Sequence, residues 1–115
     1  MVYVAGPYTI PDPVTNTTAA LRAATYLLDT GLVIPVVPHL TMFWQLLHPH
    51  DHIVWLRYDV EMLKRCDALV RLPGVSVNVD NEVNIADQLR LQVFTELTDV
   101  PPWAERWINR SSYVG

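Results

Sequence analysis

The sequence predicts an α/β fold: a small flavodoxin-like three-layer sandwich on a parallel four-stranded sheet of order 2-1-3-4. Short apolar runs alternate along the chain with segments of helical periodicity, which is the pattern of strands joined by right-handed crossover helices. The runs are continuously apolar, as expected for strands that helices cover on both faces. A length of 115 residues, half of them apolar, fits a single domain with one core over 1–115.

The strands are short segments rich in apolar residues, and turn residues bound them. They are predicted at 1–5, 32–37, 67–72 and 91–95. The first ends at Gly6 and the third at Gly74, each beside a proline. Pro35 cannot donate a ladder hydrogen bond, so the second strand is expected at an edge of the sheet or to end early.

Helices are predicted between and after these strands, at 17–29, 40–48, 52–65, 80–90 and 102–109. Asn16 or Thr17 can cap the first helix, and Gly31 is a natural stop after it. The second is short and aromatic, and a proline- and histidine-rich break separates it from the third. The tail 111–115 is expected to be loose unless a partner chain holds it.

Composition and charge exclude several classes of function. A net charge of −4 argues against a broad nucleic-acid surface, which needs a basic face. No apolar run approaches the length of a membrane span, and the start lacks the pattern of a signal peptide. Cys66 is the only cysteine, so an internal disulfide is excluded and an inert core thiol is expected. We therefore expect a cytoplasmic protein with no membrane or nucleic-acid partner and no cofactor.

Polar and aromatic side chains gather where the predicted strands end. In an open α/β sheet, ligands bind beyond the carboxyl ends of the strands. The first strand delivers Gly6, Pro7 and Tyr8; the second delivers His39, with Phe43 and Trp44 beyond it; the third delivers Ser76, Asn78 and Glu82. Asp59, on the helix before the third strand, could reach the same cleft. A carboxylate, a turn rich in N–H groups and an aromatic wall suit a sugar-phosphate that carries a ring.

Two stretches resemble the nucleoside 2-deoxyribosyltransferase-like superfamily, which includes the 2′-deoxynucleoside 5′-phosphate N-hydrolases. The segment YVAGPY at 3–8 resembles the opening strand and loop of that family. The second stretch has Asp59 about two turns before the third strand, and Ser76 lies six residues before Glu82. The resemblance covers nearly the whole chain.

The resemblance implies a role for each matching residue. Glu82 would be the nucleophile that attacks the anomeric carbon, and Asp59 would face the base and assist its departure. Tyr3 would orient Glu82, and Ser76 would contact a 5′-phosphate. The family usually has glycine two residues after the serine; this chain has Asn78, which tolerates a left-handed backbone better than most residues. The first loop also lacks the arginine that some of the nucleotide hydrolases use for phosphate.

The leading hypothesis is therefore cleavage of the N-glycosidic bond of a nucleoside, a 2′-deoxynucleoside or its 5′-monophosphate. Water would complete the reaction in an N-hydrolase, and a second base would do so in a deoxyribosyltransferase. A non-catalytic nucleotide-binding module on the same fold is the alternative. A metal-dependent hydrolase using His48, His50 and His52 with Asp51 is the third hypothesis, although their spacing matches no metallohydrolase motif.

Each candidate also has a purely structural interpretation. Glu82 could be an acid that the dipole of its helix favours in the first turn. Asp59 could be a solvated charge paired with Arg57 or Lys64. The remaining interpretations are a turn serine for Ser76, core packing for Tyr3, and a helix-capping or core role for His39. The cluster Met42, Phe43 and Trp44 is more often part of a core or a dimer interface than a wall for a base.

The small size of the domain predicts self-association. A single domain of this length leaves a shallow cleft, so we expect a homodimer or larger homo-oligomer. In that assembly Trp103, Trp107 or the 111–115 tail would help to close the site of a neighbouring subunit.

Overall fold

The computed structural model describes residues 1–9 and 11–114, with side chains described as far as residue 108. Its four strands are β1 (Val2–Ala5), β2 (Pro35–Val36), β3 (Ala68–Arg71) and β4 (Gln92–Phe94). They form one parallel sheet of order β2-β1-β3-β4, which confirms the predicted fold and strand order. Because all four strands run the same way, their carboxyl ends meet at one edge of the sheet.

Five helices cover the sheet: α1 (Pro13–Asp29), α2 (Thr41–Leu47), α3 (His52–Lys64), α4 (Val77–Gln88) and α5 (Val100–Val114). Short 3-10 turns at Pro38–Leu40 and Leu97–Asp99 precede α2 and α5. Alternate residues of β1 point to opposite faces, so Val4 packs with α1 and Tyr3 packs with α3 and α4. The result is the predicted three-layer sandwich.

The first helix begins earlier than the predicted residue 17. Asp12 is its N-cap, and its carboxylate accepts hydrogen bonds from the backbone N–H groups of Val14 (3.4 Å) and Thr15 (3.0 Å). Pro13 occupies the first turn, where its fixed φ suits a helix and its missing N–H is not needed. The difference arises because Asp12 caps the helix in place of Asn16 or Thr17, and the proline after it is favourable in the first turn.

Three other boundaries differ from the predictions. The fourth helix begins at Val77 rather than 80, because Ser76 caps it. The second strand shrinks to Pro35–Val36 at the edge of the sheet, as the proline suggested. The last helix is longer than the predicted 102–109 and runs over Val100–Val114. The side chains of the tail 111–115, to which we assigned a part in a neighbour's site, lie outside the described residues.

Membrane insertion has no support in the described part of the chain. Within residues 1–9 and 11–114, none of the helices combines the length and the apolar character needed to cross a bilayer.

Candidate active site

A cleft of about 730 Å³ lies at the carboxyl edge of the sheet. Its volume falls in the range of small-molecule sites. The loop after β1, the 3-10 turn before α2, the helices α2 and α3, and the start of α4 form its walls. Eight of the nine predicted site residues line it: Gly6, Pro7, Tyr8, His39, Asp59, Ser76, Asn78 and Glu82. The ninth, Tyr3, lies beneath the floor of the cleft.

Two carboxyl groups meet in this cleft from different helices. Asp59 projects from α3 and Glu82 from α4, and both are largely buried. Burial raises the pKa of Glu82 to about 7, and the neighbouring Tyr3 hydroxyl opposes that rise. Burial, and secondly the charge of Glu82, raise the pKa of Asp59 to about 7. Because the charge of Glu82 raises the pKa of Asp59, the pair favours a state in which Glu82 is ionised and Asp59 keeps a proton.

Tyr3 sits directly behind the two acids. It is fully buried on β1, and its phenol packs among residues of α3 and α4. Burial, followed by the charges of Glu82 and Asp59, raises its pKa, so the hydroxyl stays neutral and remains a donor. The Tyr3 hydroxyl neighbours the Glu82 carboxyl, but its Oη forms no hydrogen bond of good geometry with any described residue.

The polar atoms that lack hydrogen bonds are concentrated at this site. Across residues 1–9 and 11–108, the buried side-chain atoms without a partner are Tyr3 Oη, His39 Nδ1, Asp59 Oδ1 and Glu82 Oε2. An unpaired buried polar group costs roughly 1–3 kcal/mol. Folded proteins pair nearly all such groups, and exceptions call for an explanation such as a catalytic role. Three of the four residues line the cleft and the fourth, Tyr3, neighbours Glu82, so a bound molecule or water could complete hydrogen bonds at this site.

His39 closes the side of the cleft formed by β1 and β2. Its Nε2 lies 2.9 Å from the carbonyl oxygen of Pro7. A carbonyl oxygen only accepts, so Nε2 carries the proton and donates it. Burial lowers the pKa of His39 against the opposing effect of the Pro7 and Gly6 carbonyl oxygens, so the ring is neutral and Nδ1 is an acceptor. The ring also faces Tyr8 at a centroid distance of 6.0 Å.

Ser76 has a structural role that its place in the cleft does not reveal. Its Oγ caps α4 by accepting a hydrogen bond from the N–H of Val79 at 3.3 Å. The serine hydroxyl still has its own proton to donate, and Ser76, Val77 and Asn78 bring the first turn of α4 to the cleft wall. This turn is where an anionic or oxygen-rich group could bind.

The loop between β3 and α4 is held against the loop after β1. Gly74 has φ of 125°, and a Cβ there would lie 2.5 Å from Cγ of Pro7. Arg71 fastens the same loop by donating to the carbonyl oxygens of Leu72 (2.8 Å) and Gly74 (2.9 Å). It also pairs with Asp80 at 3.1 Å. These contacts fix the position of Ser76 relative to the first loop.

The aromatic wall is formed by a residue that the sequence analysis missed. Trp55 lines the cleft, whereas the predicted Phe43 and Trp44 do not belong to its lining and are exposed. The indole N–H of Trp55 donates to the side-chain oxygen of Gln45, which also accepts from the N–H of His50 at 2.9 Å. The spacing offered a signal, because Trp55 precedes Asp59 by four residues and so shares its helix face.

The other histidines do not form a metal centre. His50 and His52 border the cleft. His50 Nδ1 lies 2.7 Å from the backbone oxygen of His48. Among the residues that the structure describes, no group of three or more His, Cys, Asp or Glu side chains is placed to hold a metal ion. The geometry therefore gives the metal-dependent hydrolase hypothesis no support.

Two further predicted residues lie at the opposite edge of the sheet. Trp103 and Trp107 border a separate hollow of about 350 Å³ beside the amino ends of the strands. Asp67 lies there too and accepts from the amino terminus of Met1 at 2.7 Å, which links the start of β3 to the start of β1. Within one subunit the two tryptophans are remote from the candidate active site.

Comparison of the chain with protein-family models and with curated proteins gave no match.

Proposed function

We propose that this protein cleaves the N-glycosidic bond of a nucleoside, a 2′-deoxynucleoside or its 5′-monophosphate, with Glu82 as nucleophile. Membership of the nucleoside 2-deoxyribosyltransferase-like superfamily is part of the same proposal. The observation that carries it is the pair of buried carboxyl groups in one cleft, Asp59 and Glu82, each with its pKa raised to about 7. Two carboxyl groups at one site, one acting as nucleophile and the other as acid, are typical of glycosidic chemistry.

The proposed first step uses both acids. An ionised oxygen of Glu82 attacks C1′ of the sugar as the bond from C1′ to the base nitrogen breaks. The bond's electron pair leaves with the base, and Asp59 donates its proton to that base. A glycosyl ester of Glu82 and a neutral free base result. Tyr3 supports this step because its hydroxyl opposes the burial-driven rise in the pKa of Glu82 and so favours the ionised nucleophile.

The second step restores the enzyme. Asp59, now ionised, removes a proton from water as the water oxygen attacks C1′ and displaces the Glu82 carboxylate. The free sugar leaves, Asp59 is protonated again and Glu82 is ionised again. A second base in place of water would make the same protein a transferase.

The charges of the residues that line the cleft favour some classes of substrate over others. Its described residues include two acids and no lysine or arginine. An uncharged nucleoside is favoured by such a lining over a phosphate dianion. A 5′-monophosphate would depend on the Ser76 hydroxyl and the N–H groups at the start of α4. Trp55 supplies a flat apolar surface against which a base can stack.

The proposal is tested by incubating the protein with a panel of ribo- and deoxyribonucleosides and their 5′-monophosphates, and measuring free base by chromatography. Wild-type protein is expected to release base, and Glu82→Ala and Glu82→Gln are expected to release none. Glu61→Gln is the matched control, since Glu61 lies exposed on α3 and pairs with the neighbouring Lys64 and Arg65. Unchanged release from both Glu82 variants would refute the assignment. Binding without release would instead support the nucleotide-binding module.

A further inference from the structure

The outer face of the α2–α3 hairpin is apolar and uncovered. Six large apolar side chains on it are each 42–72% exposed: Leu40, Phe43, Leu46, Leu47, Ile53 and Val54. Trp44 and Tyr58 complete the face, which we call the α2–α3 surface. On α2 the exposed positions recur at three- and four-residue spacing, so they share one side of the helix, opposite Met42 and Gln45 in the cleft.

The two helices present a joined surface rather than separate patches. The rings of Trp44 and Tyr58 meet edge to face at a centroid distance of 6.0 Å. Trp44 also contacts Trp55 at 5.2 Å, and Trp55 contacts Tyr58 at 5.9 Å. These contacts tie the middle of α2 to the middle of α3. The exposed leucines of α2 and the first turn of α3 therefore border a common aromatic centre.

The exposed area of the α2–α3 surface is similar to the area that one partner buries in a stable protein interface. With roughly 180 Å² for a large apolar residue, the exposed fractions of its eight members correspond to about 800 Å². The largest apolar patch on an ordinary monomer is about 300–600 Å². A standard protein interface buries about 800 Å² on each partner. The surface thus exceeds what a monomer commonly exposes and matches one side of a dimer.

The charge distribution favours a second copy of this chain as the partner. Two-fold pairing places a surface against a second copy of itself, so a surface with a large excess of one sign of charge would repel its partner. Between residues 40 and 58, the span of this surface, the Asp, Glu, Lys and Arg residues are Asp51 and Arg57, which have opposite signs, in a chain of net charge −4. The hairpin is therefore a face on which two copies can meet with little repulsion.

We infer that two copies of the chain associate through the α2–α3 surface. This places the contact on the helices that wall the cleft, and not at Trp103 and Trp107. The inner side of the hairpin carries Gln45 and Trp55, so pairing of the outer side braces the wall against which a ligand would lie. The inference is independent of the proposed reaction, because it concerns only the outer face of the hairpin.

Sedimentation velocity over a wide range of protein concentration tests the inference. Wild-type protein is expected to sediment as a dimer, and Leu46→Glu is expected to weaken association by about 30-fold or more, the effect of losing one interface hot spot. Leu46 is 72% exposed, so the substitution leaves the fold intact, which circular dichroism verifies. Phe43→Glu is the second variant and is expected to behave alike.

Leu21→Glu is the matched control, because Leu21 is an exposed leucine on α1, in the opposite layer. It is expected to dimerise like the wild type. A wild-type protein that stays monomeric at every concentration would overturn the inference. So would a Leu46→Glu and Phe43→Glu pair that dimerise as tightly as the wild type, or a Leu21→Glu control that dissociates as readily as they do.

Discussion

Replacing Glu82 with glutamine is expected to stabilise the folded protein above neutral pH while it abolishes base release. Glutamine keeps the shape of the side chain and carries no charge, so it resembles the protonated acid at all pH values. The wild-type carboxyl is buried beside Asp59 and Tyr3, and burial disfavours its ionised form. Folding therefore disfavours the ionised form of Glu82, which is the form that the proposed reaction needs.

The magnitude follows from the pKa of Glu82, which burial raises from an ordinary value of 4.5 to about 7. Each pH unit of separation between folded and unfolded pKa values corresponds to about 1.4 kcal/mol. Between pH 4.5 and 7 the unfolded chain has lost this proton and the folded protein still holds it, so wild-type stability falls as pH rises. Above pH 7 the loss levels off at about 3 kcal/mol, and below pH 4.5 it vanishes.

Urea denaturation at pH 4 and pH 8 measures this effect. Glu82→Gln is expected to unfold at clearly higher urea than the wild type at pH 8, by about 2–3 kcal/mol, and at similar urea at pH 4. Glu61→Gln, on the exposed face of α3, is the control and is expected to gain no stability at pH 8. A Glu82→Gln protein that is no more stable than the wild type at pH 8 would refute the claim that burial disfavours the ionised form of this carboxyl.

Three further substitutions probe the same site. Asp59→Asn is expected to lower kcat/KM about 10²–10⁴-fold on ordinary nucleosides, because the base then leaves without a proton; the loss of kcat/KM, which reports cleavage of the bond to the base and not the later attack of water, should be much smaller on a deoxyriboside whose leaving group is 4-nitrophenolate. Tyr3→Phe removes the hydroxyl that opposes the rise in the pKa of Glu82, so the acidic limb of the kcat/KM profile should move to higher pH. Gly74→Ala forces a Cβ to 2.5 Å from Cγ of Pro7 at a φ of 125°, and urea denaturation should show a loss of about 1–3 kcal/mol.

Each of these substitutions has an outcome that contradicts the reasoning. Equal losses of kcat/KM on good and poor leaving groups would remove Asp59 from the role of acid. An acidic limb that stays in place in Tyr3→Phe would show that the phenol does not act on Glu82. Wild-type stability in Gly74→Ala would mean that the two loops are not pressed together.

The sequence was sufficient to predict the sheet and the strands' contributions to the cleft. Alternation of apolar runs with helical segments predicts parallel strands, and parallel strands collect their carboxyl ends at one edge. That reasoning placed Glu82 and His39 in one cleft although 43 residues separate them. Asp59 followed from the resemblance and from its position one helix before β3.

Features that depend on packing between elements were not predictable. The spacing places Trp55 on the same face of α3 as Asp59, but the orientation of its ring depends on Gln45, which comes from a different helix. The pairing of that indole with a glutamine ten residues earlier has no local pattern. Likewise, the sequence allows Ser76 to be a turn residue or a residue that binds a ligand. Its role as the cap of α4 follows only when the first residue of that helix is known.

Trapping a covalent bond between Glu82 and the sugar is the sharpest test of the proposed nucleophile. The protein would be incubated with a 2′-fluoro nucleoside, whose fluorine slows breakdown of a glycosyl ester, and then analysed by intact and peptide mass spectrometry. We expect one added sugar mass on the peptide that contains Glu82, and none in Glu82→Gln. Base release without any adduct, or an adduct on another residue, would contradict it.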